Sequence, residues 1–441
     1  RWFAGSDDRS NLTFDVYLDT NSNPTTLVAN DISALSYTPT SSQLTKGIKN
    51  YWKVVATDPS GNKTSVILNF IVGMSPDCSY ATEGDVQWVS ISSDGEYYVA
   101  GSSDTDVYLF SRDGCSPEWT YNTGNTVRSV DISADGEYIV AGSSDKKVYL
   151  FDKDSSTPLW SYTTGSDVWR VAISADGEYI AAGGADKKVY LFDKDSSTPL
   201  WSYSSSEQIY AIDISADGEY IITGHKAGSS GGKVNVFDKD SSSPINTYDI
   251  GSGNTVDTVA ISSDGHYITF GARDGKVYLA ERGESSYLWS YDSSYDFKSV
   301  SISANGEYIV AGNYIGEVYL FDKDSNSPLW DYDTGDDVYA LSISADGEYI
   351  AVGSYSDGIS EGTSYLFDKD SNTPLWSYDM GETGGDDVRF ASISSDGKHI
   401  TFGSNDNKVY TFKNSLADRP SVIPYSPRDG SELETSVLRW F

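Results

Sequence analysis

The sequence predicts an all-β fold, and three observations support this. A segment of the form Val-Xaa-Ile-Ser-Xaa-Asp-Gly occurs eight times with small variations, at intervals of 41, 47 or 50 residues. Each unit contains four short strand-like runs, and no stretch of useful length has a helical period. A period of about 40 to 45 residues with four strands per unit is typical of β-propellers. The eight copies are centred on Ile91, Ile132, Ile173, Ile214, Ile261, Ile302, Ile343 and Ile393.

One copy shows the elements in order. Residues 167–174 form an apolar first strand, and residues 175–178 form a hairpin turn because Asp-Gly tolerates the positive φ of a tight reversal. Residues 179–183 form a second strand with small residues where neighbouring blades approach closely. Residues 188–192 read as a third, alternating strand rich in aromatic residues, and residues 200–203 form the fourth.

The strand count predicts how the ring closes. Eight copies of the first three strands are followed by only seven copies of the fourth. Residues 76–84 align with the fourth strand of other copies, at 158–165, and lie upstream of the first complete unit. We therefore expect an eight-bladed propeller over residues 76–413, closed by an N-terminal strand that completes the last blade and removes an exposed sheet edge.

The remaining residues resemble a β-sandwich split between the two chain ends. Residues 1–73 contain strand-like runs with Asp, Gly and Asn turns, as in the later part of a fibronectin type III or immunoglobulin-like domain. Residues 414–441 contain a linker and the strands with which such a domain begins. We expect these last residues to belong to the sandwich of the next unit or of a partner.

The two ends of the sequence carry the same tripeptide, which we interpret as an assembly junction. The chain is expected to be one window of a longer polymer, although coincidental ends are the alternative. The polymer is either one polypeptide with tandem units or a set of subunits that donate strands to each other. The shared tripeptide favours the first, because donor and acceptor segments of separate subunits need not repeat the same sequence. Either arrangement is head-to-tail and generates a filament. The junction residues are Arg1, Trp2, Phe3, Arg439, Trp440 and Phe441.

Composition predicts an extracellular or cell-surface protein. The net charge of −34 opposes binding to nucleic acid or to an anionic membrane surface, and no apolar run is long enough to span a bilayer. Asn11 and Asn62 each begin a glycosylation sequon, so glycans are possible partners beside further copies of the chain.

The two cysteines predict a disulfide. Cys78 lies in the closing strand and Cys115 in the turn between the third and fourth strands of the first blade. Because the two cysteines are expected in neighbouring blades and at the same end of the strands, we predict a bond between them. This bond would lock the ring at its seam. Two unrelated free thiols are the alternative.

The sequence shows no catalytic, cofactor-binding or metal-binding motif. His225, His266 and His399 fall in different copies without metal-ligand spacing. The recurrent Asp-Lys-Asp-Ser lacks the glycine and distal glutamate of a calcium-binding EF-hand loop, so we interpret it as a solvated turn. We predict no cofactor and no enzymatic activity.

The runs at 148–152 and 159–165 resemble those of WD40-like or quinoprotein-like (PQQ-type) propellers, which are common in archaeal and bacterial exported proteins. This resemblance covers about three quarters of the chain. It implies the fold but not an activity, because the same scaffold carries enzymes and inert modules.

Three functions follow as hypotheses. The first is a non-catalytic structural unit of an extracellular, archaeal-type filament or surface layer that assembles by completing the immunoglobulin-like domain. The second is an adhesin or ligand-binding propeller that uses three inserted loops, at 225–232, 355–363 and 380–386. The third is a quinoprotein-type enzyme, for which the blades offer no candidate residues.

Overall fold

The fold was analysed in a computed structural model of the chain. The structure describes residues 13–32, 49–57, 63–71, 75–228, 231–355, 362–380, 387–414 and 417. All regular structure in these residues is β, and the strands form nine four-stranded antiparallel sheets. The all-β prediction is therefore confirmed, and the repeated sheets are those of a β-propeller.

One sheet, the N-terminal sheet, precedes the repeats and has the order β2-β1-β3-β4. Phe14, Val16 and Leu18 alternate along its strand β1 and are at most 3% exposed, so this strand buries one face. The strands are β1 (Thr13–Asp19), β2 (Leu27–Ile32), β3 (Lys49–Thr57) and β4 (Lys63–Ile71).

The other eight sheets, sheets 1 to 8, correspond to the eight sequence repeats. Each contains four strands paired in sequence order, except that the fourth strand of sheet 8 comes from the N-terminal side of the repeats.

The first strands of sheets 1 to 8 are β6 (Val86–Ile91), β10 (Val127–Ile132), β14 (Val168–Ile173), β18 (Ile209–Ile214), β22 (Val256–Ile261), β26 (Phe297–Ile302), β30 (Asp337–Ile343) and β34 (Val388–Ile393). The second strands are β7 (Tyr97–Ser102), β11 (Tyr138–Ser143), β15 (Tyr179–Gly184), β19 (Tyr220–His225), β23 (Tyr267–Ala272), β27 (Tyr308–Asn313), β31 (Tyr349–Tyr355) and β35 (His399–Ser404).

The third strands are β8 (Asp106–Ser111), β12 (Lys147–Asp152), β16 (Lys188–Asp193), β20 (Lys233–Asp238), β24 (Lys276–Glu281), β28 (Glu317–Asp322), β32 (Thr363–Asp368) and β36 (Lys408–Lys413). The fourth strands are β9 (Trp119–Asn122), β13 (Trp160–Thr163), β17 (Trp201–Ser204), β21 (Asn246–Asp249), β25 (Tyr287–Asp292), β29 (Trp330–Asp333), β33 (Trp376–Asp379) and, for sheet 8, β5 (Cys78–Ala81).

The turn between the first and second strands is built as the sequence predicts. In sheet 3, Gly177 has φ +74°, and a carboxylate oxygen of Asp176 accepts hydrogen bonds from the Ser174 hydroxyl at 2.6 Å and from the Glu178 amide at 3.0 Å. The Ser174 oxygen in turn accepts the Tyr179 amide at 3.0 Å. The Ser-Xaa-Asp-Gly motif therefore recurs because one turn recurs.

The third strand differs from its predicted alternating pattern. In sheet 3, the consecutive residues Val189, Tyr190, Leu191 and Phe192 are all buried. Both faces of this strand pack against neighbouring sheets, so these four side chains are enclosed and have no solvent face. Small residues in the second strand permit this stacking, since a Cβ on Gly142 would lie 2.7 Å from Val168 Cγ1 of the next sheet.

A closed cycle of eight backbone hydrogen bonds links the sheets. In each bond, the residue after the recurring turn serine of one sheet donates its amide to the carbonyl of the corresponding residue in the next sheet, at 2.9 to 3.1 Å. The cycle returns to its start, because the Ser395 amide of sheet 8 donates to the Ser93 carbonyl of sheet 1. Its members are Ser93, Ala134, Ala175, Ala216, Ser263, Ala304, Ala345 and Ser395.

A second set of contacts joins each fourth strand to the next sheet, at a position that we call the tie position. In sheet 2 this residue is Trp160, whose Nε1–H donates to the Lys194 carbonyl of sheet 3 at 2.7 Å while its ring packs on Phe192. The same indole–carbonyl bond is made by Trp119, Trp201, Trp289 and Trp330. Sheet 4 uses Asn246, whose amide donates to the Glu284 carbonyl at 2.9 Å.

Candidate functional site

The first strands of all eight sheets line one cavity of about 320 Å³, which we call the central channel. Each of these strands has a buried apolar residue at or next to its start, such as Val86 or Val127. The two positions after it vary from sheet to sheet, although most of the repeat is nearly constant. The residues at the first of these positions are Gln87, Arg128, Trp169, Tyr210, Asp257, Lys298, Tyr339 and Arg389. Those at the second are Trp88, Ser129, Arg170, Ala211, Thr258, Ser299, Ala340 and Phe390.

One side of the channel end is a pocket of about 340 Å³ rich in arginine and aromatic residues, which we call the mouth pocket. Sheets 1, 2, 3, 7 and 8 contribute to it. Three of the six arginines in the eight sheets line it, and we refer to them as the arginine cluster. The lining residues are Gln87, Arg128, Arg170, Tyr339, Tyr355, Arg389 and Phe390.

The arginines are held by aromatic and backbone contacts. The Arg170 guanidinium lies 4.8 Å from the Trp88 ring centroid, and its NH1 donates to the Trp169 carbonyl at 2.8 Å. Burial lowers the pKa of Arg170 to about 10, so the group remains protonated at neutral pH. The Arg389 guanidinium lies 5.7 Å from the Tyr355 centroid, and its Nε is buried with no hydrogen-bond partner in the described residues.

The opposite side of the channel end is electrically balanced. The Asp257 carboxylate lies 2.9 Å from Arg273 Nε and 2.9 Å from Lys298 Nζ. Lys298 also lies 3.2 Å from Asp296. Arg273 and Lys298 on this side are therefore paired with carboxylates, in contrast to the arginine cluster.

Two carboxylates lie deeper in the channel. Asp131 accepts the Ile173 amide of the next sheet at 3.0 Å, and Asp213 accepts the Ile261 amide at 3.0 Å. Burial raises the pKa of Asp213 to about 7, and the nearby Asp131 adds to this shift. The pKa of Asp131 is also raised by burial.

The seam between sheets 8 and 1 differs from the other sheet junctions. Strand β5 pairs with β36 from Ala81–Lys408 to Cys78–Thr411. Cys78 occupies the tie position, where all other sheets except sheet 4 carry tryptophan. Its Sγ lies 2.03 Å from that of Cys115 in sheet 1, so the structure pairs the two cysteines as a disulfide. A cavity of about 460 Å³ lies beside this seam.

The histidines are separated and belong to local contacts. His225 is buried, bonds to Ser205 Oγ at 2.8 Å, and has its pKa lowered to about 4 by burial. His266 Nε2 lies 2.9 Å from Glu281, and burial lowers the pKa of His399. No group of three or more His, Cys, Asp or Glu residues suited to a metal ion occurs in the part of the chain that the structure describes.

Several predicted site residues lie outside the described residues. These are the sequon residues Asn11 and Asn62 and the junction residues Arg1, Trp2, Phe3, Arg439, Trp440 and Phe441. The same holds for residues 229–230, 356–361 and 381–386 of the three predicted loops, whereas Tyr355 at the edge of one loop lines the mouth pocket. Among the described residues no helix is long and apolar enough to cross a membrane.

The mouth pocket was missed in the sequence analysis. Its signal is the pair of adjacent positions in the first strand at which near-identical repeats differ, because a side chain that only packs a sheet would be the same in every copy. The pocket also depends on which sheets become neighbours through ring closure, and this is visible only in the structure.

Comparisons with known proteins support the repeat architecture. The PQQ-like repeat family model described as "Outer membrane protein assembly factor BamB" matches residues 54–332. A crystal structure of the computationally designed Ika8 protein is similar with a TM-score of 0.65 and 15% sequence identity, over 77% of this chain and 100% of that chain. At this identity the similarity concerns the fold alone. No curated protein sequence matches the chain.

Proposed function

The chain belongs to the PQQ-like repeat family of BamB type, and on this premise we propose that it is a non-catalytic structural unit of an extracellular filament or surface layer. In this proposal the units assemble head-to-tail, and each immunoglobulin-like domain is completed by a segment from the next unit. The protein after which the family is described is an assembly factor, which is consistent with a scaffold role.

The propeller in this proposal has eight blades and is closed by β5. Three features support this count. The eight backbone hydrogen bonds return to their starting residue, all eight first strands line one channel, and β5 adds a fourth strand to β34, β35 and β36. A ring without a free sheet edge is a rigid unit that does not aggregate through strand pairing.

The N-terminal sheet carries the assembly proposal. Its order β2-β1-β3-β4 matches the order C′-C-F-G of one sheet in an immunoglobulin-type sandwich. The facing sheet of such a sandwich contains strands A and B, which begin the domain. The sequence runs at 423–427 and 436–441 have the character of those strands.

Burial in the N-terminal sheet supports a second layer. Phe14, Val16 and Leu18 lie on one face of β1 and are at most 3% exposed, and Val54 of β3 is 5% exposed. Within the described residues, β2 and β4 each pair with a single neighbour, which leaves two sheet edges. The buried face fits one layer of a sandwich, and the two edges are positions at which a donated strand could pair.

The test is electron microscopy of the native material together with the mass of the unfolded native polypeptide. Fibres or a lattice with one propeller per repeat are expected. A polypeptide much larger than 48.0 kDa would indicate tandem units, and one near that mass would indicate strand-donating subunits. Isolated monomers without fibre or lattice would overturn the structural role.

A second candidate function is a cell-surface adhesin. The connections β19–β20, β31–β32 and β33–β34 contain the three insertions and lie on one face of the sheets, since second-to-third and fourth-to-first connections share a face. Tyr355 places the end of one of them at the mouth pocket. Shortening all three loops to the length found in the other repeats should abolish binding to a glycan array and preserve the unfolding midpoint. Unchanged array binding would reject this candidate.

A further inference from the structure

We propose that the mouth pocket binds a carboxylated sugar, such as a uronic acid residue, with its carboxylate on the arginine cluster and its ring against the aromatic residues. This inference does not rest on filament formation. It concerns one concave site lined by residues of sheets 1, 2, 3, 7 and 8.

The charge of the pocket is the first argument. None of Arg128, Arg170 and Arg389 forms an ion pair with a carboxylate within the described residues, and Asp257 attracts Arg170 only from a longer distance. The chain nevertheless has a net charge of −34. On the other side of the same channel end, Arg273 and Lys298 share Asp257 at 2.9 Å. Three arginines gathered without a carboxylate in contact repel one another, and a bound anion would offset that repulsion.

The hydrogen-bonding capacity of the cluster is the second argument. Arg128 uses its Nε on the Ser144 hydroxyl at 2.9 Å and makes no other hydrogen bond in the described residues. The Arg389 Nε is buried without a partner and so is closed to a ligand, but the two terminal nitrogens of this guanidinium make no hydrogen bond within the described residues. Guanidinium groups present a planar set of donors that fits a carboxylate with two parallel hydrogen bonds. The free donors therefore select a carboxylate over a neutral group.

Rigidity is the third argument. Arg170 is fixed between the Trp88 ring and the Trp169 carbonyl, and Trp88 itself packs on Phe390 with ring centroids 4.1 Å apart. Donors that are already ordered lose little conformational entropy when a ligand binds. The site is thus preorganised on strands rather than on a loop.

The aromatic wall selects the rest of the ligand. Tyr339 and Tyr355 pack with ring centroids 5.1 Å apart, and both line the pocket with Phe390. Tyr339 is 37% exposed, which leaves part of its ring free to contact a ligand. Aromatic side chains bind apolar ring faces, and tyrosine adds a hydroxyl for a polar substituent. At about 340 Å³ the pocket lies at the small end of ligand sites, which suits one sugar ring rather than a long chain.

The test is calorimetric titration of the intact protein with sodium glucuronate, with glucose and sulfate as comparison ligands. Saturable binding of one glucuronate is expected, with no binding of glucose and at least tenfold weaker binding of sulfate, which has charge but no ring. Equal affinity for glucose or sulfate, or no saturable binding of glucuronate, would overturn the proposal.

Variants locate the site. Each lost charged hydrogen bond is worth roughly tenfold in affinity, so Arg128→Gln with Arg389→Gln should weaken glucuronate binding by about a hundredfold. The control Arg112→Gln removes an arginine of sheet 1 that pairs with Glu96 outside the pocket, and it should bind as the wild type does. Arg128→Lys with Arg389→Lys keeps the charge and should still lose at least tenfold, because lysine lacks the planar donor pair.

A separate variant covers the case in which the glutamine double variant fails to fold. Tyr339→Ala removes a partly exposed ring and leaves the arginine cluster intact, so it should weaken glucuronate binding but not sulfate binding. Full glucuronate affinity in Tyr339→Ala, or in a folded double variant, would show that the ligand binds elsewhere.

Discussion

A single position of the repeat joins the sheets in three chemically different ways. At the tie position, five tryptophans donate an indole N–H to the next sheet, Asn246 donates its amide, and Cys78 forms a covalent bond. Trp376 is an exception, because its ring packs on Phe412 while its Nε1 is buried without a partner in the described residues. The contribution of the ring and that of the hydrogen bond can therefore be separated.

The first prediction compares Trp160→Phe with Trp376→Phe. Both changes keep an aromatic ring and lose a similar volume, but only Trp160→Phe removes a hydrogen bond and leaves the Lys194 carbonyl without its donor. We expect Trp160→Phe to lower the free energy of unfolding by about 1 kcal/mol more than Trp376→Phe does. Urea denaturation of both variants measures this difference. Equal losses would show that the indole N–H contributes nothing.

The second prediction concerns the pH dependence that Asp213 creates. Its pKa is about 7 in the folded protein against an ordinary value of 3.8, so the folded state binds the proton more tightly than the unfolded state. The stability that this group contributes is therefore present at low pH and is lost as the pH rises from about 4 to about 7. As the pH rises through this window, the free energy of unfolding of the wild type should fall relative to that of Asp213→Asn, which has no carboxylate to ionise.

Above pH 7 that difference should be constant, since Asp213 is then ionised in both states. Denaturant unfolding of both proteins at several pH values measures it, and other groups cancel because the two chains differ at one residue. A difference that does not change between pH 4 and pH 7 would contradict the raised pKa.

At the scale of elements, β5 is the only fourth strand of the repeats that is remote in sequence from the strand it pairs with. Its ladder to β36 joins residues more than 300 positions apart, whereas β12 and β13 are joined by a short turn. Tyr80 of β5 packs on Tyr108 and Phe110 of sheet 1, as Tyr162 of β13 packs on Tyr190 and Phe192 of sheet 3. The packing is thus equivalent and only the connection differs.

The third prediction uses this equivalence. Tyr80→Ala and Tyr162→Ala should lower the free energy of unfolding by similar amounts, about 2 to 4 kcal/mol, because each removes a half-buried ring. Only Tyr80→Ala should also let its strand detach locally, so that the β36 amides exchange faster with solvent. Hydrogen exchange of β36 and β12 in the two variants tests this, and equal protection of the two strands would contradict it.

The sequence predicted the elements better than the site. The turn serine, the Asp-Gly pair and the fourth-strand tryptophan each repeat, so eight copies of one local pattern fixed the strands and even the missing strand of sheet 8. The alternation expected in the third strand was wrong, because burial between two sheets removes the solvent face on which that pattern depends. The arginine cluster is not local in sequence, since Arg389 and Arg128 come together only when sheet 8 lies beside sheet 1.

At the scale of the whole molecule, the disulfide joins the two sheets between which the ring closes. Cys78 belongs to sheet 8 through its pairing with Thr411, and Cys115 belongs to sheet 1. The bond spans 37 residues of sequence, which restricts the unfolded chain.

The fourth prediction follows from this cross-link. Cys78→Ser with Cys115→Ser should lower the free energy of unfolding by about 2 to 4 kcal/mol without changing the β-sheet circular dichroism spectrum. A reducing agent should bring the wild type to the same unfolding midpoint and should leave the double variant unaffected. A wild-type midpoint that is insensitive to reduction would show that the bond does not form in solution.

The position of the disulfide also determines how the ring would respond to tension. The chain enters the ring at the start of β5 and leaves it at the end of β36. These two strand ends lie side by side, because Cys78 pairs with Thr411. A pull on both flanking segments would peel this ladder apart one hydrogen bond at a time, which is the weakest way to load two strands. The bond from Cys78 to Cys115 transfers that force to sheet 1 before the ladder is reached, so the load is carried across the packed interface of two sheets.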